Sequence, residues 1–152
     1  MSDLRHQLIG EDRLVAAVRP CHPLTDGPLA AQRYAAAEHI TVSRRGRLRD
    51  PVDDVLTALG LQRQVIASAP SSAIALQLVL DADLVVTVPE AATTPALLRL
   101  GLQALPLPFP MPPIPLHLIR HQRHAHDPAH TWLRTQAHAA LQTVFRQPDP
   151  AF

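Results

Sequence analysis

Six prolines fall within ten residues at 106–115, PLPFPMPPIP, and no other segment limits the architecture as strongly. Proline fixes φ, removes a backbone donor and restricts the residue before it, so this stretch excludes a helix and favours extended backbone. It reads as a rigid crossing segment, since the interleaved Leu107, Phe109, Met111 and Ile114 are suited to burial. A proline-rich ligand for an SH3-like partner is the alternative.

Before this segment the chain alternates between extended and helical patterns. RLVAAVR at 13–19 predicts a strand that ends in the turn Pro20 to Pro23. PLAAQRYAAAE at 28–38 is alanine-rich and predicts a helix, followed at once by the β-branched strand HITVS at 39–43. Asp50 and Pro51 supply an N-cap and a first-turn proline for a helix with Val52, Val55, Leu56 and Leu59 on its apolar face and Gly60 at its end. QRQVIASA at 62–69 predicts another strand, Pro70 to Ser72 open a helix that runs through Leu80, and DLVVTVP at 83–89 has the continuous apolar character of a strand covered on both faces. This order predicts an α/β lobe with right-handed crossovers between parallel strands. After the prolines, LHLIRHQR at 116–123 alternates like a half-buried strand, and Asp127 with Pro128 opens a last helix, beyond which the tail QPDPAF is expected to fray.

At 152 residues, with 47% hydrophobic and 18% charged residues, the chain has enough apolar area for one core or two small lobes. Its net charge of +1 supplies no broad basic field for DNA phosphates. The single cysteine, Cys21, permits no intrachain disulfide, and no apolar run reaches the length of a signal segment or a membrane span. A cytoplasmic protein with no membrane contact is therefore expected.

RLVAAVRPCHPL, EHITVS, DPVDDVLTALGLQRQV, DLVVTVP, GLQALPLP and DPAHTWLR, in this order, resemble segments of LysR-type transcriptional regulators, above all the branch that senses aromatic and flavonoid-like inducers. The resemblance covers about residues 11–146. In that family a winged helix-turn-helix reads DNA, and a following domain of the periplasmic-binding-protein type II closes two α/β lobes around a small-molecule effector. The resemblance implies that this sequence begins near the strand crossing between lobes, truncated at the amino terminus and without the DNA-reading module. Residues 20–90 would form one largely complete second lobe, and residues 100–152 would return to complete the first. Arg120 departs from the family, in which Trp usually precedes the His.

Two loops following strands are candidate binding elements, because ligands of open α/β lobes meet strand carboxyl ends and helix N-termini. Ser43 to Asp50 offers the Ser43 hydroxyl and the Arg49 guanidinium, which suits a carboxylate. Pro70, Ser71 and Ser72 offer hydroxyls and backbone donors. In related proteins, positions matching these loops, with Asp12 on the crossing strand, contribute to the effector pocket. The blander reading makes Ser71 an N-cap and Arg44, Arg45, Arg47 and Arg49 solvated charges.

His117, His121, His124, His126 and His130 invite a metal reading, but they lack a defined ligand spacing, and no metal or other cofactor is expected. An enzyme is not expected either: there is no Gly-x-Ser-x-Gly elbow, phosphate loop or dinucleotide glycine pattern, and Cys21 reads as a turn or core residue. Two functions compete. One is a ligand-sensing regulatory domain that binds an aromatic or carboxylate effector within a homo-oligomer. The other is a truncated interaction fragment that pairs with full-length regulators and senses nothing. A solute receptor for uptake shares the fold but would need export.

Overall fold

The computed structural model describes residues 3–145, so the tail expected to fray, at 147–152, lies outside the described residues. The chain divides into a larger unit, Arg13–Pro112, and a smaller one assembled from Met1–Asp12 and Pro113–Phe152. Among the described residues no helix is long and apolar enough to cross a membrane.

The larger unit is a five-stranded mixed sheet with helices on both faces. Its elements are β2 (Leu14–Val18), α1 (Ala31–Ala36), β3 (Glu38–Val42), α2 (Pro51–Ala58), β4 (Gln64–Ala69), α3 (Ser72–Leu80), β5 (Leu84–Pro89), α4 (Glu90–Leu100) and β6 (Gln103–Pro106). These follow β1 (Leu4–Asp12), which belongs to the smaller unit. The strand order is β4-β3-β5-β2-β6. β3 runs parallel to β4 and β5, as expected of strands joined through helices. β2 departs from the expected parallel run, being antiparallel to both β5 and β6. Its register places Leu14 opposite Pro89, where the Glu90 N–H donates to the Arg13 carbonyl (2.8 Å) and the Arg13 side chain pairs with Glu90.

Alternation along β2 assigns the two faces. Val15 and Ala17 pack with Ile40, Leu76, Val79, Val86, Val88 and Leu97 under α3 and α4. Ala16 and Val18 pack with Tyr34, Val52, Leu56, Val85 and Phe109 under α1 and α2. Both clusters are needed because Val85, Val86 and Val88 are all completely buried in the central strand. Asp50 caps α2 with a full capping box, its side chain accepting from Val52 N–H while Asp53 accepts the Asp50 N–H. Gly60, with φ of +72°, follows the helix end, and the Leu61 N–H returns to the Leu56 carbonyl, so the anticipated glycine stop is present.

Three further features differ from the sequence expectation. α1 is shorter than 28–38, because Ala30 and Ala37 are already extended and the chain passes directly into β3. α4 occupies a stretch in which no element was expected, since Thr93, Thr94 and Pro95 weaken its helical signal; Gly101 at φ +66° ends it. Residues 100–112, expected to return to the first lobe, stay with the larger unit, because β6 pairs with β2 and Phe109 enters the core. The proline segment itself has no regular structure from 107 to 113 and bends at 108–109.

The smaller unit is a two-stranded antiparallel ribbon of β1 and β7 (Ile114–His121), followed by a turn at Gln122–His124 and by α5 (Pro128–Gln142). The register runs from Leu4 opposite His121 to Asp12 opposite Ile114, with a bulge between Leu8 and Gly10. Asp127 caps α5 as its position before Pro128 suggests, accepting from Ala129 N–H (2.9 Å) and His130 N–H (3.3 Å).

Candidate functional site

Parallel pairing carries β3 and β4 to a common edge, with Thr41 opposite Ser68 and Val42 opposite Ala69. The two loops singled out in the sequence therefore leave the sheet side by side. The Ser43 N–H donates to the Ala69 carbonyl (2.8 Å), and Ser68 Oγ donates to the Ser43 carbonyl (3.5 Å). The first loop is folded around Ser43: its Oγ accepts the N–H of Arg45 (3.3 Å) and of Arg47 (3.1 Å), and Thr41 Oγ1 donates to the Arg47 carbonyl (2.9 Å). A serine hydroxyl has two accepting lone pairs and one proton. With both lone pairs engaged, Ser43 retains a proton that suits an incoming acceptor oxygen.

The second loop opens α3. Ser71 is the N-cap, its Oγ accepting from Ile74 N–H (3.4 Å), while Pro70 is exposed and Ser72 half-buried. Helix geometry leaves the N–H groups of Ser72 and Ala73 without intrahelical acceptors, at the end where the helix dipole favours negative charge. Ser43, Pro70, Ser71 and Ser72 are thus brought together.

Arg49 stands elsewhere in the larger unit. The Arg49 side chain is largely exposed and donates to Asp54 Oδ1 (2.7 Å), so its fork is already engaged with a carboxylate of this chain. It lines a shallow concavity of about 260 Å³ with Leu48, Asp53, Thr57, Gln62, Arg63 and Val65. That concavity lies at the amino end of β4, about 13 Å along the strand from Ala69. Asp12, the last residue of β1, is buried and belongs to the smaller unit. Cys21 occupies an exposed turn with φ of +61°.

Beneath the Ser43–Asp50 loop is a buried polar cluster that sequence reasoning did not find. The Arg63 side chain has no solvent exposure. Its Nε and Nη2 donate to the two Asp53 oxygens (both 2.9 Å), Nη2 also reaches Asp50 Oδ2 (2.8 Å), and Nη1 donates to Tyr34 Oη (3.4 Å). Tyr34 Oη shares a 2.6 Å hydrogen bond with Thr87 Oγ1. Burial opposes charge on Arg63, but the bonds to Asp53 and Asp50 outweigh it and hold its pKa above the usual value. Burial likewise pushes Asp53 upward, yet Arg63 and the Asp50 N–H bring it below the ordinary carboxylate range. The cluster ties the start of α2 to β4 and so fixes where the preceding loop ends. The one sequence signal for it was Asp53 at the third position after the Asp50 cap, a spacing that also serves the capping box alone.

His39 lies fully buried beside this cluster, its ring 4.6 Å from that of Tyr34. Its Nε2 is 2.7 Å from the Tyr34 carbonyl, which assigns the proton to Nε2. Burial pushes its pKa down to about 4, so the ring is neutral at physiological pH.

The site offers a donor hydroxyl and helix N–H groups at the edge of a mixed α/β sheet, features suited to holding an anion and not to bond cleavage. The chain is 32% identical over 145 residues to the HTH-type transcriptional regulator SyrM of Rhizobium meliloti, which covers 93% of this chain and 43% of that protein. It therefore spans about two-fifths of the length of the curated relatives it matches. Among solved structures it superposes on the regulatory domain of MexT from Pseudomonas aeruginosa with a TM-score of 0.76 at 25% identity, covering 91% of this chain and 66% of that one. It also superposes on the effector binding domain of QuiR in complex with shikimate, with a TM-score of 0.71 at 19% identity over 94% of this chain and 68% of that one. These neighbours share the periplasmic-binding-protein type II-like fold, and the relatives are named as transcriptional regulators, not enzymes. The model of the LysR substrate binding domain matches residues 1–142, nearly the whole described chain, and the protein belongs to that family.

Proposed function

We propose that this domain senses a small carboxylate effector on behalf of a LysR-type transcriptional regulator, and that the carboxylate is held where Ser43 meets the amino end of α3. The observation that carries this reading is the Ser43 hydroxyl, its lone pairs already satisfied, beside the uncapped N–H groups of Ser72 and Ala73. Such a group of donors prefers an anionic acceptor to a cation or a neutral donor. Shikimate, bound by QuiR, has that chemistry, and an aromatic acid would add apolar contact to the same anchor. The larger unit corresponds in this reading to the second lobe and the smaller one to the returning part of the first. Pro70, Ser71 and Ser72 contribute backbone and hydroxyl groups, and Arg49 stays with Asp54 outside the anion contact.

Calorimetric titration with shikimate and a panel of aromatic acids tests the reading. It requires saturable binding of at least one acid, weakened by about tenfold or more in Ser43→Ala, the loss of one hydrogen bond to a charged acceptor. The second reading is an interaction fragment that pairs with full-length regulators. It is favoured by the exposed Ile119, Trp132 and Leu133 on β7 and α5. Binding to a full-length regulator with no response to any acid of the panel would support it instead.

A further inference from the structure

The geometry points to a transition-metal site of the zinc class in the smaller unit, formed by His124, Asp127 and His130 around the turn that joins β7 to α5. These residues had no recognised ligand spacing because their periodicity belongs to no single element. His124 ends the turn at Gln122–His124, Asp127 is the N-cap of α5, and His130 lies in its first turn. The fold turns this spacing of three and three into one cluster, in which one donor atom from each residue lies within 4.8 Å of the others.

The details favour a soft or borderline divalent ion. The His124 and His130 rings stack at 3.9 Å between centroids with an interplanar angle of 28°, which keeps their nitrogens close although the rings must turn apart for both in-plane lone pairs to meet one ion. Asp127 uses Oδ1 for the helix cap, which leaves Oδ2 to a metal without loss of the cap. All three residues are half-buried, neither locked in a core nor free in solvent. Tetrahedral bonds of about 2.0–2.2 Å need donors about 3.3 Å apart, so binding requires the two rings to leave their stack by rotation about side-chain bonds.

The surroundings narrow the class further. Arg123 Nε donates to His124 Nε2 (2.9 Å), and Arg134 Nη1 donates to the His124 carbonyl (3.4 Å). Their charges oppose a cation held only electrostatically, which disfavours calcium and magnesium; zinc, nickel or copper gains enough from imidazole to displace the exposed Arg123 side chain. The adjoining concavity of about 390 Å³ is lined by Leu118, Ile119, Leu133 and Ala137 and by Arg120 and Arg134 besides the histidines, so it holds no carboxylate for a hard ion and its cations oppose one. Two imidazoles and one carboxylate leave a coordination position for water. A bound ion would staple the turn to the first turn of α5.

The test uses the purified full chain stripped with a chelator. Calorimetry with zinc chloride, and visible absorption with cobalt chloride as a spectroscopic substitute, measure stoichiometry, affinity and geometry. The proposal expects one ion per chain at micromolar affinity or better, tetrahedral cobalt bands, and a rise in the thermal midpoint on adding zinc. His130→Gln and His124→Gln should each weaken binding by about tenfold or more and abolish the thermal response. Asp127→Asn, which keeps the cap, should weaken binding while leaving the helix content unchanged. His6→Gln and His117→Gln remove a separate ring pair, 6.1 Å between centroids, and should change nothing. Equal affinity in all of these variants, octahedral cobalt spectra, or loss of binding only in the His6 and His117 variants would overturn the assignment and leave adventitious binding only.

Discussion

His39 should make the stability of the larger unit depend on pH with a definite sign and size. In the unfolded chain the imidazole takes up a proton near 6.5, whereas in the folded protein burial delays this to about 4. Between those values the unfolded state binds more protons, so stability falls as pH falls, by about 1.4 kcal/mol for each unit. The whole interval removes about 3 kcal/mol, a large part of the ~5–15 kcal/mol that holds an ordinary domain together. Charges around the ring modulate this: Arg63, just before β4, opposes its protonation, while Asp53 and Asp50 at the start of α2 favour it. His22, also lowered chiefly by burial, contributes a slope of the same sign. The comparison of wild type with His39→Gln isolates the effect, since glutamine retains a donor for the Tyr34 carbonyl. Urea unfolding at a series of pH values gives both curves. The advantage of wild type over the variant should shrink by about 3 kcal/mol from neutral pH to 4. Parallel curves would show that His39 titrates normally in the folded state and would refute the reasoning.

Arg63→Met should destabilise the larger unit by about 3 kcal/mol or more, measured by urea unfolding, because it leaves Asp50 and Asp53 without their buried cation. Gly101→Ala should cost about 1 kcal/mol by the same assay, since a Cβ there meets no atom within 4 Å and only the left-handed backbone is strained. Arg49→Ala should leave both the unfolding midpoint and the affinity for a carboxylate effector unchanged, because its charge is exposed and engaged with Asp54; a fall in affinity would return Arg49 to the binding site.

Where local signals agreed with tertiary packing, the fold was legible in the sequence. Asp50 with Pro51, Ser71 before Ser72, and Asp127 with Pro128 each cap the helix they announce. The run LVVTVP is buried on both faces because its β-branched residues have helices above and below. The direction of β2 was not legible, since RLVAAVR has the same apolar character whether its neighbours run with it or against it. α4 was hidden by its internal proline and threonines, and β1 by a mostly exposed, polar sequence whose pairing with β7 spans more than a hundred residues. In the site, spacing identified the two loops that β3 and β4 bring together, but it could not reveal that Asp54 would occupy Arg49. Nor could it reveal Arg63, which reaches Asp53 across ten residues only after α2 has packed on the sheet.

The most direct test of an effector domain anchored at Ser43 and α3 is backbone amide NMR of the isotope-labelled chain during titration with shikimate and aromatic acids. The account predicts saturable, single-site shifts for at least one acid, largest at the amides of Arg45, Arg47, Ser72 and Ala73, and strongly reduced in Ser43→Ala. Shifts confined to the Arg49 concavity or to α5, or no saturable response to any acid, would contradict it.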